Sequence, residues 1–161
     1  MKPTFIHNLV NSHFEDPSLF VMIMREKRAF LFDIGNITKL HPGDLQKITD
    51  VFVTHTHIDH FIGFDTLLRS LLRREIPLKV YGPSNIIDCV EGKLKGYMWN
   101  LIKEYPLRIE VFSLDGNSVT SSGFYAENRF QRIDRGTSRF DGTLVKEPLF
   151  TIKALQLNHQ A

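Results

Sequence analysis

The side chains best equipped for chemistry stand together in the run Thr54-His55-Thr56-His57-Ile58-Asp59-His60. Imidazole and carboxylate are ligands for borderline divalent ions: zinc suits the imidazoles, and manganese or iron would also accept the carboxylate. His55 and His57 are separated by one residue, so in an extended segment their side chains leave the same face and can bind one ion. Asp59 and His60 come at the start of the next element, where a turn swings them toward a second position. The competing reading is a set of surface histidines and satisfied caps, with Asp59 capping a helix. A lone histidine would deserve it. The H-x-H-x-D-H spacing, after a buried strand and before an amphipathic helix, favours a metal instead. His7, His13 and His41 lack such company and are expected to be ordinary polar residues.

The element that delivers the cluster is Asp50 to Thr54, a short β-branched strand with the histidines at its carboxyl end, where ligand sites of α/β sheets commonly lie. Before it, Ser18 to Met24 and Ala29 to Ile34 are apolar on both faces, which predicts strands covered on both sides, with Arg25 to Arg28 as the hairpin tip. Asp33 at the end of the second strand must find a partner. It either caps a loop through hydrogen bonds or orients a nearby metal ligand. His41 to Ile48 predicts a brief helical turn with Pro42 near its start.

From Phe61 the period becomes helical. Phe64, Leu67, Leu68, Leu71 and Leu72 form one apolar stripe, and Arg69, Ser70, Arg73 and Arg74 are expected on a solvated face. Pro77 to Pro83 is the next strand. Ser84 or Asn85 is expected to cap a helix carrying Ile87, Val90, Leu94, Tyr97, Met98 and Leu101, kinked or broken at Gly92 and Gly96, with Lys93, Lys95 and Lys103 solvated. Strands follow at Leu107 to Leu114, Val119 to Tyr125, Arg129 to Ile133 and Leu149 to Leu157. Asp115-Gly116 is expected to form a tight turn, and Asp134 to Lys146 a polar loop. The order is β-rich, then βαβα, then β, which predicts a layered α/β domain.

With 161 residues and 42% hydrophobic composition, the chain can bury a core as one domain, residues 1–161. No apolar run is long enough to span a bilayer and no secretory signal is apparent, so a cytoplasmic location is expected. The single cysteine, Cys89, excludes an internal disulfide and is expected to be a buried helical thiol. A net charge of +2 does not by itself indicate a nucleic-acid partner.

THTHIDHFIGFDTLL resembles the signature of the metallo-β-lactamase superfamily, and Asp33-Ile34-Gly35 matches its earlier aspartate motif. VYGP after the long helix and LNH at residues 157–159 resemble the ribonuclease Z branch, with similarity in motif order from about Phe30 to His159. The resemblance implies an αββα sandwich, of which this chain carries the N-terminal half to two thirds. It implies two zinc ions: His55, His57 and His159 on one, Asp59 and His60 on the other, with Asp59 also taking a catalytic part and Asp33 supporting ligand orientation. The implied reaction is endonucleolytic removal of 3′ trailers from precursor tRNA by a metal-bound hydroxide. Hydrolysis of another ester, thioester or lactam, or metal binding without catalysis, are the alternatives. The family's later aspartate and final histidine fall after LNH, so the domain is expected to be incomplete at its C-terminus and completed by a missing half or by a second copy in a homodimer.

Overall fold

The apolar runs of the first hundred residues become the strands and helices of one layered structure. It is a computed structural model, and residues 4–157 are described. Among them the strands β1 (Phe5–Leu9), β2 (Leu19–Ile23), β3 (Arg28–Phe32), β4 (Ile48–Phe52), β5 (Leu78–Pro83), β6 (Arg108–Asp115), β7 (Ser118–Tyr125) and β8 (Arg132–Arg139) form an eight-stranded sheet. Their spatial order is their sequence order. β3 to β6 run parallel and the flanking pairs antiparallel.

Helices fill the crossovers, as parallel pairing requires. They are α1 (Pro42–Leu45), α2 (Ile58–Phe61), α3 (Phe64–Leu71) and α4 (Ile86–Lys95). A hairpin of β9 (Thr143–Glu147) and β10 (Phe150–Lys153) follows. The expected α/β class holds, with βαβα crossovers in the middle of the chain.

Both faces of the parallel strands are covered, as the continuous apolar runs predict. On one face Leu31, Val51, Val80 and Val111 pack with Phe64, Leu67, Leu71, Val90 and Leu94 from the helices, all nearly inaccessible. On the other, Phe30, Phe52 and Tyr81 pack with Val145, Phe150 and Ile152 from the hairpin. Across that face Phe32, Phe52, Tyr81 and Phe112 stack in series, with centroids 5.0, 4.9 and 4.8 Å apart. Burial pushes the Tyr81 hydroxyl well above its ordinary pKa, with the Asp50 charge adding to it. Arg28 fixes the hairpin to the sheet. Its guanidinium meets buried Asp50 at 2.8 Å and Glu147 at 2.6 Å, and it lies over the rings of Phe30 and Phe150.

Several elements differ from expectation. The polar stretch from Asp134 to Lys146 is largely strand: β8 begins at Arg132, continues to Arg139, and β9 follows. Every residue of β8 is exposed, so it has no apolar period to announce it, and pairing with β7 alone makes it a strand. The last strand is β10 only, shorter than Leu149 to Leu157.

α4 is not two helices. It ends at Lys95, where the Gly96 N–H donates to the Gly92 and Lys93 carbonyls and the Trp99 indole donates to Leu94 O at 2.7 Å. Tyr97, Met98 and Leu101 therefore lie outside it and are exposed. Asn85 stands at its N-cap without a capping bond. Cys89 is half-buried rather than buried. Lys93 is not merely solvated, since it pairs with Asp65 at 2.6 Å and lies over the Phe61 ring. No helix among the described residues is long and apolar enough to cross a membrane.

Arg74 is the largest correction: it is buried, with 8% of its surface exposed. Its guanidinium donates to Ile76 O at 3.0 Å, Gln46 O at 3.2 Å and the Ile48 carbonyl, joining the turn after α3 to the start of β4. Burial pushes its pKa down to about 10, and the Asp50 charge opposes that. Arg74→Ala would strand these carbonyls in a dry site. It is expected to cost roughly 2–4 kcal/mol of stability. Urea unfolding checks this, and a midpoint unchanged from wild type would show the carbonyls satisfied without the arginine.

Candidate metal centre

The cluster is held by three backbone segments that meet at the carboxyl ends of β3 and β4. β4 hands the chain on through the bond from Val53 N–H to Tyr81 O, 2.8 Å, and Thr54 follows directly. Just after β3 comes Asp33, which turns into the left-handed region at φ 58° while its N–H still donates to Phe52 O at 2.8 Å. Asp tolerates that conformation better than most residues. The consequence is a buried carboxylate aimed at the start of the histidine run.

Asp33 meets two partners at once. Oδ1 accepts from Thr54 N–H at 2.7 Å and from the Thr54 hydroxyl at 2.9 Å, which fixes the loop after β4. Oδ2 lies 3.0 Å from the same hydroxyl and 2.9 Å from His60 Nδ1, so it also orients a histidine. Beside it the turn that carries Asp59 and His60 docks on the Ile34-Gly35 backbone. Ile34 N–H donates to His60 O and Gly63 N–H donates to Ile34 O, both at 2.9 Å.

This docking requires glycine on each side. A Cβ on Gly63 would stand 2.0 Å from Gly35 O, and one on Gly35 would stand 2.5 Å from Asp59 O. The helical pattern carries the only advance signal of Gly63, an isolated glycine where a better helix former would otherwise sit.

The structure brings His55, His57, Asp59 and His60 together. The ring centroids of His55 and His57 are 4.5 Å apart, and those of His55 and His60 are 3.9 Å apart. His60 Nε2 is 3.5 Å from Asp59 Oδ2. His57 and Asp59 are exposed and His55 and His60 half-buried, so the cluster opens outward from its buried support.

His159 lies outside the described residues. His7 in β1 and His41 at the N-cap of α1 belong to other elements, and His41 Nδ1 accepts from Gly43 N–H at 3.1 Å. Two further residues join to which the sequence alone assigns no part in the site. Thr54 bridges Asp33 and His55, with its hydroxyl oxygen 3.0 Å from His55 Nδ1. Asn85, expected as a cap, donates its amide to the Thr56 hydroxyl at 2.7 Å and ties the loop after β5 to the cluster.

In kind these donors suit zinc: imidazole nitrogens with a carboxylate beside them. His60 offers Nε2, because Nδ1 is occupied by Asp33. In number they are short, for among the described residues no three His, Cys, Asp or Glu side chains are gathered closely enough to hold an ion by themselves.

No protein-family model matches the chain. In sequence it is 30% identical over 139 residues to a protein of Bacillus cereus, covering 82% of this chain and 44% of that one. It is 33% identical over 133 residues to a protein of Oceanobacillus iheyensis, covering 78% and 42%. Both relatives are named ribonuclease Z. The likeness is to ribonuclease Z. This ribonuclease Z-like chain spans less than half the length of the curated relatives it matches. Among solved structures, human tRNase Z, short form, aligns at 18% identity and TM-score 0.46, covering 71% of this chain and 55% of that one. A metallo-β-lactamase fold protein from Bacillus subtilis aligns at 11% identity and TM-score 0.45, covering 81% and 61%.

The docked turn gives the site a test through its backbone. Gly63→Ala is expected to destabilise the chain by about 2 kcal/mol or more and to speed hydrogen exchange at Ile34 and Gly63. Gly92→Ala, where a Cβ meets nothing within 4 Å inside α4, serves as the control. It is expected to gain about 0.5–1 kcal/mol. Equal effects of the two would show that the contact between Gly35 and Gly63 does not hold the turn.

Proposed function

We propose that this chain carries part of the active site of a metal-dependent phosphodiester hydrolase that removes 3′ trailers from precursor tRNA. The observation that carries the reading is the packing of His55, His57 and His60 with Asp59 over the buried Asp33 carboxylate. The ribonuclease Z named in its relatives supports a phosphodiester over a thioester or lactam.

His55 and His57, with His159, would hold one zinc ion, and Asp59 with His60 a second. Bound there, such ions supply Lewis acidity toward the phosphoryl group and lower the pKa of water. The chain's own residues do the positioning. Asp33 holds His60 by Nδ1, so that ring keeps one orientation. The docking of the turn on Ile34 and Gly35 fixes where Asp59 and His60 begin. Asp59, half-exposed beside His60 Nε2, is the carboxylate assigned to the reacting centre. Exposure of His57, Ile58 and Asp59 leaves room for a polymeric substrate to approach. A cytoplasmic location goes with that substrate.

Zinc-loaded intact protein is expected to cleave both precursor tRNA and a chromogenic phosphodiester, with His57→Ala lowering the rate by about a hundredfold or more. Hydrolysis of a thioester or a β-lactam with neither phosphodiester touched would overturn the nuclease reading.

A further inference from the structure

Asn85 begins α4 but does not cap it. A capping asparagine has an extended backbone, whereas this one is already helical, at φ −94° and ψ 0°, with its carbonyl accepting from Cys89 N–H at 3.0 Å. Its side chain forgoes the stabilisation of a cap and donates instead to the Thr56 hydroxyl at 2.7 Å, between His55 and His57 in the chain. The backbone beneath it is fixed too, because the Ser113 hydroxyl on β6 donates to Ser84 O at 2.9 Å. Asn85 is nevertheless exposed. A rigidly mounted carboxamide thus stands open to solvent at the edge of the histidine cluster.

A carboxamide carries two N–H donors and an oxygen that accepts. Thr56 takes one donor, and among the described residues no bond takes the other donor or the oxygen. What remains is one donor and one acceptor on a single oriented plane. That combination matches the edge of a nucleobase: unpaired RNA bases are read on their edges by side chains, and asparagine pairs in bidentate fashion with adenine.

We infer that Asn85 reads an unpaired nucleobase next to the cleaved phosphodiester, adenine above the others, and that Thr56 is the positioning residue that holds its amide plane. Adenine presents its N6–H beside N7 and again beside N1, so it can meet the amide on either of two edges. A small phosphodiester has no such edge and passes the residue by. The inference deepens the nuclease reading given above and rests on it.

The test uses precursor tRNAs carrying adenine, uracil or an abasic residue at each unpaired position flanking the cleaved bond. They are bound to the metal-free intact protein, followed by fluorescence anisotropy, and cleaved by the zinc-loaded protein. At one of these positions wild type is expected to bind the adenine form about tenfold or more tighter than the abasic form, with uracil between them. Asn85→Ala should bind all three alike, at the abasic level. Its KM for the adenine substrate should rise by the same factor, while kcat and hydrolysis of a chromogenic phosphodiester stay as in wild type. Thr56→Val should share the loss and Thr56→Ser should not. Asn85→Ser serves as a second variant should Asn85→Ala fail to fold.

A base preference undiminished in Asn85→Ala overturns the inference and leaves the nuclease reading standing, as does a wild type that binds and cleaves all three forms alike. An equal loss on the chromogenic phosphodiester would show Asn85 to act on the histidines rather than on the substrate, which also overturns it. A wild type that hydrolyses a thioester but neither binds nor cleaves RNA overturns the nuclease reading itself, and the inference with it.

Discussion

A buried carboxylate must be met by donors, and in this chain that demand organises the whole region around residues 33–63. Asp33 leaves β3 in a left-handed conformation with its side chain largely buried. Its donors come from Thr54, two residues beyond β4, and from His60 in α2. One group thereby couples the ends of two parallel strands to the element that carries Asp59 and His60. Backbone docking at Ile34 and Gly63 reinforces the same joint. The histidines need no stiffness of their own, because everything beneath them is already fixed.

The sheet below is held from both sides by different means. The helical face is mainly aliphatic, with Phe64 among its buried side chains, and is closely covered. The opposite face is aromatic, and its cover includes the hairpin β9–β10, secured by Arg28 between Asp50 and Glu147. An ion pair with one partner almost wholly buried is poor evidence of net stabilisation. Here it sets position, since the guanidinium fits between two carboxylates and over two rings at once. The site thus rests on a layer with apolar packing on each side.

Much of this is legible in the sequence where side-chain pattern and backbone demand agree. The apolar runs before Asp33, the strand before Thr54 and the stripe from Phe64 to Leu71 appear in the fold as read, because burial dictates both the pattern and the element. The H-x-H-x-D-H spacing likewise places its side chains together. Reading fails where structure is decided by partners remote in sequence. β8 is a strand because β7 lies beside it, and nothing in its own polar residues says so. Arg74 looks like one more solvated cation until the carbonyls of Gln46 and Ile48 are brought against it. Thr54 is silent for a similar reason: a hydroxyl acquires a role only when both its neighbours are in place.

The agreement between spatial and sequential strand order bears on how the molecule comes into being. Every pairing in the large sheet joins strands that are neighbours along the chain, so each closes a modest loop rather than a long one. The joint at Asp33, Thr54 and Gly63 can assemble as soon as the first two crossovers have formed. The Arg28–Glu147 bridge is the opposite case, since it spans most of the polypeptide. Synthesis from the N-terminus therefore completes the support of the histidine cluster early, and the aromatic face receives the hairpin last.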